Sequence, residues 1–309
     1  MSFSKDIKAE LAERISNARH CRIAEMAGIL SVGASVTGEG IVLFGENKAT
    51  ADKLAELIRK LFSESVEVSQ TKNKGKKIYR VSIEDEGLRN RIFEVLKCDV
   101  CKARETGIIY VSDVVITQQC CRRAFLRGAF LAAGSVSDPE KTYHFEIIAR
   151  DMKQAHQIEM VADSFDLEAR ILIRKEKYII VYIKDGSKIV DALSVMEAHV
   201  SMMNMENVRI LKEMRNNVNR QVNCETANIG KTVAAAGKQI EDIRLIEEKL
   251  GLSKLAKGLE EVARLRISYP DSSLQELSDM MDPPIGRSGV NHRLKKLGRI
   301  ADGLRGGTP

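Results

Sequence analysis

A chain of 309 residues that is 44% hydrophobic has room for two domains with a sizeable core. No run of about 18 apolar residues reads as a membrane span, and the polar start Met1-Ser-Phe-Ser-Lys-Asp lacks the apolar stretch of a secretion signal, so the cytoplasm is the expected compartment. The formal charge of +6 is modest, and most of its positive excess falls in the C-terminal third, residues 201–309.

In chain order, residues 4–16 place Ile7, Leu11 and Ile15 at helical spacing and predict an amphipathic lead-in helix. A small-residue helix follows, Ala24-Glu-Met-Ala-Gly28, running to Gly33 and Ser35. One hundred residues later comes its counterpart, Ala124-Phe-Leu-Arg-Gly128, running to Ala133 and Ser135. Gly28 and Gly128 are in register. Each glycine costs about 1 kcal/mol of helix propensity against alanine. Small residues four apart let two helices approach closely, and their repetition in matched surroundings predicts that these two pack along a pseudo-twofold axis.

After the first of these helices the pattern predicts a hairpin (Ser35 to Thr37, then Ile41 to Phe44) and a helix with Leu54, Leu57, Ile58 and Leu61 on one face. Strands Val66 to Ser69 and Ile78 to Ile83 flank a lysine-rich turn, and a helix carrying Leu88, Ile92, Val95 and Leu96 closes the unit. The second unit repeats the order with strand Tyr143 to Ile148, helix Ala155 to Ala162, strands Ala169 to Ile173 and Tyr178 to Ile183, and helix Ile189 to Met196. The repeats therefore span about 21–100 and 121–200 of an α+β domain over 1–204.

At these residues the chain resembles the LAGLIDADG fold of homing endonucleases, aligned on Met26 to Ala34 and on Leu126 to Gly134. The resemblance implies a pseudo-twofold domain whose antiparallel sheets form a saddle. It also implies that the last acidic residue of each motif would hold a divalent metal. Those positions are Gly33 and Ala133, and the other acidic position is replaced by Ser31 and Leu131. Hard cations need anionic oxygen ligands, so the expectation is a kept scaffold and no catalytic residue. On the saddle, Lys72, Lys74, Lys76 and Lys77 in one turn and Arg170, Arg174, Lys175 and Lys177 in its counterpart are secondary candidates for nucleic-acid contacts.

Six cysteines in a chain with no secretion signal favour free thiols over disulfides. Cys98-Asp-Val-Cys101 with Cys120-Cys121 supplies four thiols, but zinc sites are usually built from two separated knuckles, and adjacent cysteines make a poor second one. No metal and no cofactor is assigned. The sequence has no HExxH, P-loop or GxGxxG pattern, and no small-molecule substrate is expected.

Residues 205–252 read as a connector of one or two helices. It is unusual for Asn216, Asn217, Asn219, Asn223 and Asn228, which are expected to cap or join helices or to make a polar contact between domains, with contact to phosphates as the alternative. Beyond it, 253–309 reads as an all-α domain. Leu259, Val262, Ala263 and Ile267 form one helical face. Ser273 and Glu276 form a capping box that opens a second helix, and Asp282-Pro-Pro-Ile-Gly286 breaks the chain. The last helix buries Val290, Leu294, Leu297 and Ala301. Its other face shows Arg287, Ser288, Asn291, His292, Lys295, Lys296 and Arg299, the candidate DNA-binding set. A short helix bracing a basic one is a helix-turn-helix, with charge to contact phosphates and polar side chains to read base edges.

With both halves in place the chain resembles the WhiA family. The supporting stretches are Met1 to Lys8, Phe125 to Leu131, Asn219 to Asn228 and Ser288 to Lys295. The resemblance implies a DNA-binding protein, and the leading expectation is a cytoplasmic, nucleoid-associated regulator of transcription on duplex DNA, with a partner regulator as a further candidate ligand of the N-terminal domain. The resemblance also implies a link to cell division and chromosome segregation, and to sporulation in some lineages. The alternatives are an RNA-binding maturase-like protein, a protein-interaction platform and, last, an active endonuclease using acids such as Glu39 or Asp138. Operator, target genes, sign of regulation and oligomeric state are not legible in the sequence.

Overall fold

Ile7 and Leu11, one helical turn apart, are both fully buried and fix the lead-in helix α1 (Phe3–Glu13). The computed structural model describes residues 2–73, 75–175 and 178–306. These form two units, Met1–Lys212 and Glu213–Pro309.

In the first unit, one sequence of elements occurs twice. The first copy is α2 (Arg19–Gly33), β1 (Ala34–Thr37), β2 (Gly40–Gly45), α3 (Lys48–Phe62), β3 (Val68–Asn73), β4 (Lys76–Ile83) and α4 (Glu86–Leu96). A short helix α5 (Val100–Thr106) and a single 3-10 turn (Asp113–Ile116) connect it to the second copy. That copy is α6 (Gln119–Ala133), β5 (Gly134–Val136), β6 (Phe145–Ala149), α7 (Met152–Asp163), β7 (Arg170–Arg174), β8 (Tyr178–Ile183) and α8 (Gly186–Val195). Each copy makes a four-stranded antiparallel sheet of the same order, β1-β2-β4-β3 and β5-β6-β8-β7. The mixed fold of helices and antiparallel sheets expected from the sequence is the one observed.

Equivalent polar residues start equivalent helices. The Asn47 and Asp151 side chains accept from the backbone N–H groups of Ala49 and Gln154 at the starts of α3 and α7. Asp85 and Asp185, one hundred residues apart, do the same for α4 and α8. Such caps satisfy first-turn donors that have no partner within the helix.

Helices α2 and α6 cross where both lack side chains. A Cβ on Gly28 would lie 2.2 Å from the Phe125 carbonyl oxygen, and one on Gly128 would lie 2.1 Å from that of Glu25. The contact is reciprocal, since Phe125 and Glu25 are themselves equivalent positions. Around it sit the fully buried Ala24, Ala27, Ile29, Ala129 and Phe130, so the repeat axis is also the centre of the core.

The connector is a single helix, α9 (His199–Lys249), which carries the chain from the first unit into the second. Residues 213–235 are exposed on every side, and all five asparagines lie in this stretch. They neither cap nor join helices and they make no buried contact, contrary to expectation. Asparagine's weak helix preference is overridden by good helix formers around it. The end of α9 packs in the second unit, where Ile243 and Ile246 are buried with Leu252, Leu259, Val262, Leu277, Val290, Leu294 and Leu297. No described helix is long and apolar enough to cross a membrane.

Candidate nucleic-acid interface

In the second unit, α10 (Lys257–Ser268) buries Leu259, Val262 and Ala263 as its spacing predicts. It also buries Arg266, whose guanidinium Nη1 donates to the carbonyls of Pro270 at 3.3 Å and Ser272 at 2.7 Å. That arginine draws the chain tight between α10 and α11 (Leu274–Asp279), a positioning role with no signal in the sequence pattern. Burial pushes its pKa below the usual arginine value. The capping box is formed in full: Glu276 N–H donates to Ser273 Oγ at 3.2 Å, and Ser273 N–H donates to the Glu276 carboxylate at 2.7 Å. Seven residues then lead to α12 (Arg287–Gly306). The Ser278 hydroxyl, near the end of α11, donates to the Ile285 carbonyl in this link, and Asp282 N–H donates to Glu261 of α10 at 2.8 Å, so the break between the two helices is anchored on both sides.

Helix α12 buries Val290, Leu294, Leu297 and Ala301, the four residues read from the sequence. Successive residues turn by about 100° around a helix axis, so Ser288, His292 and Arg299 point most nearly away from that buried stripe. Lys295 and Lys296 flank them. All five are exposed, as is Arg287 at the first position. Asn291 lies toward the margin, about 90° from the outward direction by the same rotation, and is half-buried.

The basic count of this helix overstates its free charge. Arg293 is half-buried and its Nη1 donates to the Gly258 carbonyl at 3.2 Å, joining α12 to α10. Arg305 pairs with Asp242 at 2.5 Å and Asp302 at 3.0 Å. Arg287, Lys295, Lys296 and Arg299 make no hydrogen bond or ion pair with another described side chain. Four cations, rather than six, are available to an anionic ligand.

In the first unit, Lys72, Lys76, Lys77, Arg170, Arg174 and Lys175 are all exposed, while Lys74 and Lys177 lie outside the described residues. The lysine-rich stretch is shorter as a turn than the sequence reading had it. Lys72 pairs with Lys77 across β3 and β4, and Asn73 with Lys76, so the strands run almost to the tip. Lys76 is neutralised by Glu46 at 2.8 Å. The two sheets differ on the face turned away from the core. Phe44 and Arg80 stack on the first, with the guanidinium carbon 5.5 Å from the ring centroid. The second exposes Ile148, Leu172 and Tyr178, which is an apolar surface with Arg170 and Arg174 on its edge strand.

Gly33 and Ala133 occupy the C-terminal ends of α2 and α6, each half-buried. A Cβ on Gly33 would lie 2.7 Å from Leu43 Cδ1 and 2.9 Å from Ala132 Cβ, so apolar groups fill this end of the helix pair. Glu39, an alternative acid, is exposed in the first hairpin turn and lies 3.7 Å from Arg80. Asp138 accepts from the Glu140 N–H at 3.0 Å in a loop. Neither belongs to a group of donor atoms close enough to share a cation; among the described residues the one such group is at the opposite, N-terminal ends of α2 and α6.

Two family models match the chain, the WhiA LAGLIDADG-like domain over residues 122–215 and the WhiA C-terminal HTH domain over residues 218–301. A probable cell division protein WhiA of Lachnoclostridium phytofermentans is 50% identical, over 99% of this chain and 100% of that protein. Another, from Clostridium acetobutylicum, is 41% identical over 99% of each chain. The crystal structure of full-length DUF199/WhiA from Thermatoga maritima shares the fold, with a TM-score of 0.60 at 24% identity and 100% coverage of both chains. The repeated small-residue helices, the two matched sheets and the capped helix-turn-helix are thus found together with full-length sequence similarity, and the chain belongs to the WhiA family.

Proposed function

We propose that this protein is a nucleoid-associated, duplex-DNA-binding regulator of transcription in the cytoplasm. It acts in cell division and chromosome segregation, and 253–309 is its reading domain. The observation that carries the reading is the outward stripe of α12, where Ser288, His292 and Arg299 are flanked by Lys295 and Lys296, all exposed and opposite a fully apolar buried stripe. A helix held rigidly by its apolar side and presenting polar and cationic side chains is what major-groove recognition requires. The name shared by the relatives supports the cell-division role.

The first unit then serves as a scaffold without nuclease chemistry, because Gly33 and Ala133 offer no side-chain oxygen to a divalent metal. Its exposed Ile148, Leu172 and Tyr178 favour a protein ligand for the second sheet, such as a partner regulator. The cationic hairpin tips are left for DNA or RNA backbone.

Chromatin profiling of the full-length protein in its own cells, beside a Lys295→Ala, Arg299→Ala variant, tests the regulator reading. Discrete promoter sites lost in the variant are the expected result. Undiminished occupancy in the variant overturns α12 as the reader, and enrichment of transcripts in place of duplex DNA in a matched RNA capture overturns DNA as the ligand.

A further inference from the structure

The four thiols that the sequence groups together are separated by the fold. Cys120 and Cys121, in the first turn of α6, meet His20 and Cys21 in the first turn of α2. The two dipeptides are one hundred residues apart, the offset that also relates Gly28 to Gly128. The close crossing at the glycines therefore brings the N-terminal turns of both helices together. His20 Nδ1 lies 3.2 Å from Cys121 Sγ, 3.4 Å from Cys21 Sγ and 3.9 Å from Cys120 Sγ. All four donor atoms lie within 4.8 Å of one another.

A zinc ion bound at about 2.3 Å to sulfur and about 2.0–2.1 Å to nitrogen, with tetrahedral angles, sets each N···S edge at about 3.6 Å. The three observed separations bracket that value. Cys21 and Cys121 are buried, whereas His20 and Cys120 are exposed; Cys21 and Cys120 line a cleft of about 450 Å³ together with Arg14, Arg123, Arg127 and Glu197. Such a donor set is half embedded in the core and half accessible to an incoming ion.

The surroundings suit an anionic complex. Burial raises the pKa of Cys21, and it pushes Cys121 up to about 12 with the neighbouring thiols adding to the effect. Thiolates are the metal-binding form, so uptake of a dication by these cysteines is coupled to release of their thiol protons. A dication with three thiolates and a neutral imidazole has a net charge of −1, which the positive ends of two helices favour. Neither helix start is capped by a side chain, since Ala18 and Gln118 make no cap hydrogen bond. Arg123 Nε is buried in the same cleft with no hydrogen-bond partner among the described residues.

We propose that His20, Cys21, Cys120 and Cys121 form a structural Cys3His site for one zinc ion, clamping the N-terminal turns of α2 and α6. Four protein donors fill the tetrahedron and leave no open position, so the site is structural rather than catalytic. Cys98 and Cys101 are outside it; the Cys98 thiol instead donates to the Asp99 carbonyl at 3.6 Å.

The test is metal content of the untagged full-length protein purified under reducing conditions, followed by chelation and reloading with Co(II). One zinc per chain is expected, and cobalt should give the visible absorption of a tetrahedral thiolate site. His20→Ala and Cys120→Ser alter exposed ligands, so folding is retained and checked by far-UV circular dichroism. Each should weaken zinc binding by more than the roughly 10–100-fold that an outer-shell change costs, and zinc should raise the melting temperature of the parent but not of Cys120→Ser. Cys98→Ser and Cys101→Ser should leave the cobalt spectrum and stoichiometry unchanged. The proposal is overturned by absence of stoichiometric metal, by loss of metal in the Cys98 or Cys101 variants while His20→Ala and Cys120→Ser retain it, or by a Cys21–Cys121 disulfide as the form isolated under reducing conditions.

Discussion

Glu25 of α2 and Arg127 of α6 make a bidentate ion pair inside the core, with Arg127 Nε donating to Oε1 at 2.9 Å and Nη2 to Oε2 at 3.1 Å. Lys53 Nζ reaches the same carboxylate at 3.0 Å, and the second edge of Arg127 meets Glu197 at 2.7 Å. Burial opposes the Arg127 charge, yet Glu25 and Glu197 outweigh it and raise its pKa. Removing Arg127 leaves the buried Glu25 carboxylate with Lys53 still beside it but without two charge-assisted hydrogen bonds, at a cost of about 3 kcal/mol. Arg127→Met should therefore destabilise the first unit by that order in urea unfolding. A loss under about 1 kcal/mol would place the pair's energy elsewhere in the cluster.

Gly28 and Gly237 are both interior to helices, and packing should give them opposite responses to alanine. Alanine favours an isolated helix by about 1 kcal/mol. At Gly237, exposed on α9, a Cβ meets nothing within 4 Å, so the substitution should be neutral or stabilising. At Gly28 it falls 2.2 Å from a backbone oxygen, and the helices must separate. Gly28→Ala should lower the melting temperature of the first unit while Gly237→Ala does not; equal responses would argue against close packing at the glycines.

Lys8 of α1 gives a pH signature. Burial lowers its pKa from 10.5 to about 8. It sits beside the Phe130 ring in a cleft also lined by Lys5, Glu46 and Lys48. Because the folded value lies below the unfolded one, the unfolded chain binds more proton between those values and stability rises with pH across that window. Below about pH 8 both states carry the charge, so the burial cost is felt in full. Lys8→Met should thus raise stability at pH 7, with the gain shrinking from pH 8 to 10. A gain independent of pH would assign the effect to packing.

Much of this architecture is legible because it is written twice. Gly28 with Gly128 and the order of strands gave the repeat, while Ser273 with Glu276 and the spacing of Val290 to Ala301 gave the C-terminal helices. What escaped was set by partners distant in sequence. The continuity of α9 is hidden by its asparagines, and α5 by the short spacing of Cys98 and Cys101, which reads as ligands before it reads as a helix. The withdrawal of Arg293 and Arg305 from the exposed face depends on Gly258 and Asp242. The meeting of His20 and Cys21 with Cys120 and Cys121 follows from the helix crossing, and its only trace in the sequence is the hundred-residue offset.

The division of work along α12 sets the last prediction. Ser288, Asn291 and His292 lie in its first two turns, the end of a recognition helix that meets base edges, whereas Lys295, Lys296 and Arg299 lie further along and suit phosphates. Asn291→Ala should cost on the order of 1–3 kcal/mol at the specific site and little elsewhere, the range for one lost base contact. Its half-buried position makes it the more demanding test, since its amide reaches the groove only if the DNA wraps toward that flank. Lys295→Ala should weaken specific and non-specific binding alike and reduce the salt slope by about 0.9, the share of one phosphate contact. Anisotropy titrations against a profiled site and a scrambled duplex, at several salt concentrations, separate the two effects. Loss of discrimination in Lys295→Ala together with unchanged discrimination in Asn291→Ala would overturn this division and make Lys295, rather than Asn291, a reader of base edges.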